Sequence, residues 1–167
     1  AREPGKDDVE LAEAFLSQSE TGDENGSPLW LYGYGRFDEK TKRLQDFQHF
    51  PHFTGKAWQG GAQLPDLKLG WTTVSATGGH PGDPSHAGVY RWTAPHTGRF
   101  ALSGLLKHPS EHGYGVEGIL SVSSCDLVTR WPVHHGSKAT NSEPFEVAAG
   151  ATIDVIAHCR SNVSFDS

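Results

Sequence analysis

Residues 88–95 read GVYRWTAP, and the turn residues HTG lead from them into RFALSGLL at 99–106. Two alternating apolar and polar runs joined by a glycine-containing turn are typical of a β-hairpin. Further strands are predicted at 115–123, 127–133, 144–147 and 152–159, with Gly or Asn near most of the breaks between them. Six strands between residues 88 and 159 predict an all-β fold, an antiparallel two-sheet β-sandwich that is jelly-roll-like.

The alternation of side chains along a strand separates a core face from a polar face. The predicted core face holds Phe100, Leu102, Leu106, Val116, Leu120, Val122, Ile153, Val155, Ala157 and Cys159. The opposite parity places Glu117 and Asp154 on a polar face. If Tyr90 and Trp92 belong to the core, Arg91 joins that polar face.

Length and composition fit one β-rich domain. The chain has 167 residues, of which 35% are hydrophobic, and its 20 glycines and 10 prolines exclude a long-helix or coiled-coil protein. The sequence contains no apolar run near the ~20 residues that a membrane-spanning helix needs, and it does not open with the basic-then-apolar pattern of a signal peptide. We therefore expect no membrane span and a mature or excised piece of a protein.

The charge of the chain is concentrated at its beginning. Residues 1–27 contain eight acidic and two basic side chains, which accounts for the whole net charge of -6. The rest of the chain is balanced, so we expect no field that would attract nucleic acid. Residues 1–27 are predicted to be an acidic linker with a short helix beginning near Asp7 and Asp8, and residues 28–167 to be the β-sandwich module.

Ten histidines raise the question of a metal site. The pairs His49/His52, His108/His112 and His134/His135 lie outside predicted helices and accompany no HExxH or CxxC motif, so we expect no metal site and no cofactor. A structural calcium ion on loop carboxylates is left open. Its candidate ligands are Asp38, Asp126, Asp154 and Asp166.

Cys125 and Cys159 are the two cysteines of the chain. A bridge between them would close a loop of about 35 residues. Strand parity places the two thiols on opposite faces unless a bulge intervenes, so a disulfide and two separate thiols both remain open.

Catalysis has little support in the sequence. There is no GxSxG motif, and neither cysteine lies in a recognisable active-site motif. Carboxylate pairs drawn from Glu111, Glu117, Asp126 and Asp154 are expected in any sandwich of this size. We predict a protein that is not an enzyme, with a small hydrolase or metal-dependent enzyme as an alternative.

Aromatic residues in loop-rich segments suggest a binding surface. Indole and phenol rings pack against flat apolar faces, while nearby polar groups form hydrogen bonds, which is what a sugar ring requires. The candidate ligand-binding residues are Trp58, Trp71, Trp131, Tyr34, His80, Arg91 and Glu117. Tryptophans that fill the core are the competing interpretation.

Several stretches together carry a resemblance to a known module. They are WLYGYGRFDE (30–39), FTGKAWQGG (53–61), GGHP (78–81) with RWTAP (91–95), and GYGVEGI (113–119). Over residues 29–167 the chain resembles the β-sandwich module of planctomycetal multidomain cytochrome c-like proteins. That resemblance implies a carbohydrate-binding or lectin-like role and an extracytoplasmic setting.

Two features limit what the resemblance implies. The chain has no CxxCH motif, so it contains no haem site. The family often has GDGV where this chain has GYGV at 113–116, which removes an acidic side chain.

The sequence thus predicts a non-catalytic carbohydrate-binding module that positions a larger extracytoplasmic protein on a polysaccharide or oligosaccharide. The main alternative is a structural or protein-interaction sandwich that docks a neighbouring haem or enzyme domain of the same chain.

Overall fold

The computed structural model describes residues 30–160, which form fourteen strands. Within that range there is no helix long and apolar enough to cross a membrane. The prediction of an all-β, antiparallel, sandwich-like fold is confirmed. The linker and short helix predicted for residues 1–27 lie outside the described residues. The strands are β1 (Trp30–Asp38), β2 (Arg43–His49), β3 (His52–Phe53), β4 (Ala57–Gln59), β5 (Thr73–Ser75), β6 (Gly78–His80), β7 (Ala87–Thr93), β8 (Gly98–Phe100), β9 (Leu105–His108), β10 (Val116–Val122), β11 (Val128–Val133), β12 (Gly136–Ala139), β13 (Phe145–Val147) and β14 (Thr152–Cys159).

A six-stranded antiparallel sheet in the order β11-β10-β14-β7-β1-β2 forms the centre of the molecule. Two small sheets, β12-β9 and β13-β8, pack against one part of this sheet. A four-stranded sheet in the order β3-β4-β5-β6 packs against another part. The prediction of strand 152–159 is confirmed, since β14 spans the same residues.

The predicted hairpin between 88–95 and 99–106 does not form. Strand β7 pairs instead with β1 and β14, while β8 pairs with β13 and β9 with β12. After β7 the amide of Ala94 donates to the carbonyl of Ala151, and Pro95 has no amide hydrogen to continue the ladder. The chain therefore leaves the central sheet at this point.

Both faces of the central strands are buried. The predicted core face contains Leu120 and Val122, which pack with Trp131 and Ile153. The opposite face, called the inner face below, buries a second set of apolar side chains: Phe37, Ala87, Val89, Ile119 and Ile156. The predicted polar face is therefore largely a second core.

The hairpin formed by β1 and β2 covers the inner face. At its turn, the guanidinium of Arg43 donates to the carbonyls of Val122 and Ser123, and the Ser121 hydroxyl donates to the carbonyl of Lys42. These contacts link β2, at one edge of the sheet, to the end of β10. The six-stranded sheet is consequently curled around its inner face.

The four-stranded sheet packs on the other side of β1 and β7. Val74 of β5 is buried together with Tyr34, Phe50 and Leu69, and the partly buried rings of Tyr32, Trp58 and Tyr90 surround them. Because side chains alternate along a strand, Thr73 and Ser75 lie on the face of β5 opposite Val74. That outer face leads to the groove described below.

Cys125 and Cys159 are two separate thiols in the structure. Cys159 lies buried on β14 opposite Val116, on the face that the sequence predicted. Cys125 follows β10 in a turn, where its amide lies 3.5 Å from the carbonyl of Val122.

Candidate functional site

An open groove with a volume of about 520 Å³ lies on the four-stranded sheet. The loop between β4 and β5 forms one side of it, and the β5–β6 hairpin forms the rest. Two of the candidate residues, Trp71 and His80, lie together here. The lining residues are Leu64, Trp71, Thr73, Ser75, Thr77, Gly78, Gly79 and His80.

Trp71 presents its indole to the groove because its neighbours hold the chain in place. Leu69 and Thr72 on either side are buried, and the Thr72 hydroxyl donates to the Leu69 carbonyl at 2.6 Å. Gly70 between them has a φ of 59°, a left-handed conformation that favours glycine. The side chain of Trp71 is 52% exposed, although tryptophan is on average a highly buried residue.

His80 lies opposite Thr73 across the β5–β6 pair. Its Nδ1 is 2.6 Å from the carbonyl oxygen of Pro81. A carbonyl only accepts hydrogen bonds, so Nδ1 carries a hydrogen and donates. In the neutral ring Nε2 is then an acceptor, suited to receive a hydroxyl hydrogen from a ligand.

The β5–β6 hairpin gives the groove a fixed backbone. A Cβ atom at Gly79 would lie 2.2 Å from the Thr73 carbonyl oxygen, so only glycine fits there. From the other side, the Tyr90 hydroxyl donates to the carbonyl of Ser75 at 2.8 Å and lies 3.1 Å from that of Gly78. Burial raises the pKa of Tyr90, which keeps this hydroxyl protonated and able to donate.

A smaller cavity of about 310 Å³, called the second cleft below, contains the candidate residue Tyr34. The Tyr34 hydroxyl donates to Gln48 Oε1 at 2.7 Å and accepts from the Lys68 ammonium at 3.2 Å. Tyr34 therefore belongs to a different site from Trp71 and His80. The lining residues are Tyr34, Arg36, Asp46, Gln48, Lys68, Ser85 and His86.

Two of the three candidate tryptophans line neither cavity. Trp131 is only 5% exposed and packs in the core with Leu120 and Val147, which corrects the expectation that it contacts a ligand. Trp58 is partly buried and stacks on Tyr32, with ring centroids 6.1 Å apart and planes 10° apart. For both residues packing in the core is the role that the structure gives.

Arg91 and Glu117 form ion pairs on the inner face and line neither cavity, so the structure does not bring them together with Trp71 and His80. Arg91 forms a two-pronged ion pair with Asp154, at 2.7 Å from Nε and 2.9 Å from Nη2. Its guanidinium also lies 4.1 Å from the centre of the Phe47 ring. Glu117 accepts from Arg130 Nη1 at 3.0 Å, and the other end of that guanidinium binds Glu39.

Three of the four carboxylates considered for calcium are engaged with other groups of the protein. Asp38 accepts hydrogen bonds from the backbone amides of Thr41 and Lys40, and these bonds lower the pKa of its carboxyl group. Asp126 forms an ion pair with Arg43 at 3.1 Å. Asp154 is bound to Arg91, and Asp166 lies outside the described residues. Within residues 30–160, no three His, Cys, Asp or Glu side chains gather where they would hold a metal ion.

Sequence reasoning missed most of the polar lining. Thr73, Ser75 and Thr77 face the groove, and Lys68 and Gln48 face the second cleft.

Comparison of the chain with protein-family models, with curated proteins and with solved structures finds no match. The planctomycetal resemblance stays a prediction, and the groove itself is the basis for assigning a function.

Proposed function

We propose that this chain is a non-catalytic carbohydrate-binding module whose site is the groove on the four-stranded sheet. The observation that supports this proposal is the half-exposed indole of Trp71 beside the imidazole of His80 in one open groove. The module would position a larger extracytoplasmic protein on a polysaccharide, a setting that rests on the family resemblance.

A sugar ring offers an apolar face and a rim of hydroxyls, and the groove has a group for each. The C–H face of the ring would lie on the Trp71 indole. A ring hydroxyl would donate to Nε2 of His80. Thr73 and Thr77 belong to the same lining, and the Thr73 hydroxyl, which donates to the Trp58 carbonyl at 3.0 Å, can still accept a hydrogen bond. We expect modest affinity because these polar groups are few and the groove is open.

The groove lining also supports a role in binding without catalysis. Glycoside hydrolysis by the common mechanisms needs two carboxyl groups flanking the scissile bond. The eight lining residues include no Asp or Glu, and the only titratable side chain among them is His80. A ligand in this groove would be held by stacking and neutral hydrogen bonds, so its affinity should change little with salt concentration.

The test is affinity electrophoresis of the 167-residue chain through gels that contain single polysaccharides. For a polysaccharide that retards the wild type, Trp71→Ala should weaken binding at least about tenfold, because the stacking surface is lost. Tyr114→Ala is the matched control, since Tyr114 is a comparably exposed aromatic residue (57%) outside the groove lining. It should bind like the wild type.

Two results would contradict the proposal. One is the absence of retardation by any polysaccharide in a panel of plant, algal and bacterial polymers. The other is equal loss of binding in Trp71→Ala and Tyr114→Ala, which would indicate a nonspecific aromatic effect. A thermal midpoint of Trp71→Ala close to that of the wild type would show that the loss does not come from unfolding.

A further inference from the structure

Alternate residues of one stretch of chain line the groove, and the residues between them, Thr72 and Val74, are buried. Thr73 and Ser75 both belong to β5, and side chains two residues apart on a strand point to the same side at a spacing of about 7 Å. The hydroxyls beyond Trp71 therefore form a short row along the groove. In chain order the row consists of Trp71, Thr73, Ser75 and Thr77.

The two hydroxyls of β5 have already donated their hydrogens to backbone carbonyls. The Thr73 hydroxyl donates to the carbonyl of Trp58 at 3.0 Å, and the Ser75 hydroxyl donates to that of Gly78 at 2.8 Å. The Ser75 oxygen also accepts from the Thr77 amide at 3.4 Å. Because a hydroxyl has one hydrogen and two lone pairs, each oxygen can still accept a hydrogen bond from a ligand but cannot donate one.

His80 adds a third acceptor beside these two. It lies opposite Thr73, and directly opposite residues of an antiparallel pair have their Cβ atoms about 5 Å apart. Its Nδ1 donates to the carbonyl of Pro81 at 2.6 Å, so Nε2 of the neutral ring can only accept. Internal hydrogen bonds thus orient three neighbouring side chains of the groove as acceptors.

The side chains of the lining that can still donate lie at the two ends of the row. They are the indole Nε1 of Trp71, whose ring is the proposed stacking surface, and the hydroxyl of Thr77 in the turn between β5 and β6. The centre of the groove, at Thr73, Ser75 and His80, offers acceptors. A ligand that crosses this centre must supply the hydrogens itself.

We propose that the groove selects neutral polysaccharides whose hydroxyl groups are free and discriminates against chains whose hydroxyls carry an acetyl or a methyl group. A free hydroxyl donates its hydrogen to Thr73, to Ser75 or to Nε2 of His80. An acylated or methylated oxygen has no hydrogen, so it leaves the acceptor that faces it without a partner after water has been displaced. This inference rests on the proposed function and adds the substitution state of the polysaccharide to it.

The test compares forms of one polymer that differ in acetylation. Each neutral polymer of the panel, such as a galactomannan or a xyloglucan, is O-acetylated as far as it stays soluble, and part of the product is deacetylated with mild alkali. Affinity electrophoresis of the 167-residue chain measures binding to the three forms. The unmodified and deacetylated forms should bind alike, and the acetylated form about fivefold more weakly, the order expected for one lost hydrogen bond.

Three variants separate a lost hydrogen bond from the added bulk of an acetyl group. Thr73→Val keeps a branched side chain without the acceptor, so it should weaken binding of the unmodified polymer about fivefold and reduce the preference over the acetylated form. Thr73→Ser retains the hydroxyl and should keep the preference of the wild type. Thr54→Val is the matched control, because the Thr54 hydroxyl also donates to a backbone carbonyl, that of Ala57 at 3.2 Å, but lies outside the groove lining. It should bind both forms like the wild type.

The outcomes separate the two proposals. If the acetylated form binds as tightly as the unmodified one, or if Thr73→Val keeps the full preference of the wild type, the selection for free hydroxyls is overturned, while binding that requires Trp71 still supports the groove. If no form of any polymer in the panel retards the chain, both proposals are overturned. Equal effects of Thr73→Val and Thr54→Val would show that the loss does not come from a contact in the groove, which also overturns the selection.

Discussion

The inner face of the six-stranded sheet and the groove on the four-stranded sheet both hold residues that the sequence marks as candidates for ligand binding, and the structure engages them differently. On the inner face each candidate charge meets a partner: Arg91 binds Asp154, and Glu117 binds Arg130. In the groove, Trp71 is half exposed, and His80 uses its Nδ1 to bind the Pro81 carbonyl. Residue type alone does not separate these two roles.

The difference comes from what covers each face. The β1–β2 hairpin folds across the inner face, so the polar groups there must be paired or pay the cost of losing water. The β5–β6 hairpin pairs with β4 along one edge and is held from below by Val74 and Tyr90, and its outer face opens into the groove. Covered polar residues therefore stabilise the fold. In the groove the hydroxyls of Thr73 and Ser75 also have partners, the carbonyls of Trp58 and Gly78, so the proposed binding rests on Trp71 and His80.

The largest expected effect distinguishes the two kinds of tryptophan. Trp131→Ala should lower the free energy of unfolding by about 3–5 kcal/mol, because it leaves a cavity beside Leu120 and Val147. Trp71→Ala should lower it by less than about 1 kcal/mol, since the indole is half exposed. Urea denaturation of the two variants measures both values.

Equal destabilisation by the two substitutions would break the comparison, because Trp71 would then belong to the core. The binding assay gives the complementary result. At temperatures where Trp131→Ala is folded, it should bind polysaccharide as the wild type does, whereas Trp71→Ala should not.

The next effect concerns the ion pair on the inner face. Asp154→Ala should lower the free energy of unfolding by about 3 kcal/mol, because it leaves the mostly buried guanidinium of Arg91 without its carboxylate. Asp126→Ala is the matched control. It also removes a carboxylate from an arginine, Arg43, but at a site where the acid is almost fully exposed, so its effect should be much smaller.

If Asp154→Ala were no more destabilising than Asp126→Ala, the inner face would be open to water, and Arg91 would be available to bind a ligand there. A binding measurement checks this directly. Asp154→Ala should leave polysaccharide affinity unchanged in the folded protein.

Much of the fold was predictable because strand patterns are local. The limits of β14 and one of the two buried faces of β10, the face with Leu120 and Val122, follow from alternating apolar residues. The wrongly predicted hairpin shows the limit of local information. Strand β7 pairs with β1 and β14, whose first residues, Trp30 and Thr152, lie 57 and 65 residues from Ala87, the first residue of β7. Such pairings depend on the packing of the whole sheet.

The candidate site was predictable only in part for the same reason. The sequence marks Trp71 as an aromatic residue in a loop-rich segment and His80 as a nearby polar group, and the structure places both on the lining of one groove. Lys68 gave no signal, because its place in the second cleft depends on Tyr34 and Gln48, which come from β1 and β2. The ion pair of Glu117 was likewise not predictable, because Arg130 reaches it from the neighbouring strand β11.

The smallest effect is a pH dependence on the inner face. Burial lowers the pKa of His158, and the positive charge of Arg130 lowers it slightly further. The negative charge of Glu117 acts in the opposite direction. The unfolded chain then takes up a proton at a higher pH than the folded protein does, so stability falls as the pH drops below the ordinary value of 6.5. One proton limits the slope to about 1.4 kcal/mol per pH unit.

His158→Gln removes this proton and serves as the comparison. Between pH 7 and pH 5 the wild type should lose more stability than the variant in urea denaturation, and the other nine histidines cancel in the difference. The carboxyl groups of Asp38, Glu39 and Asp66 have lowered pKa values, so their contribution is lost only at lower pH. Parallel curves for the two proteins would mean that His158 is as well solvated folded as unfolded, and that the inner face is less covered than the β1–β2 hairpin makes it.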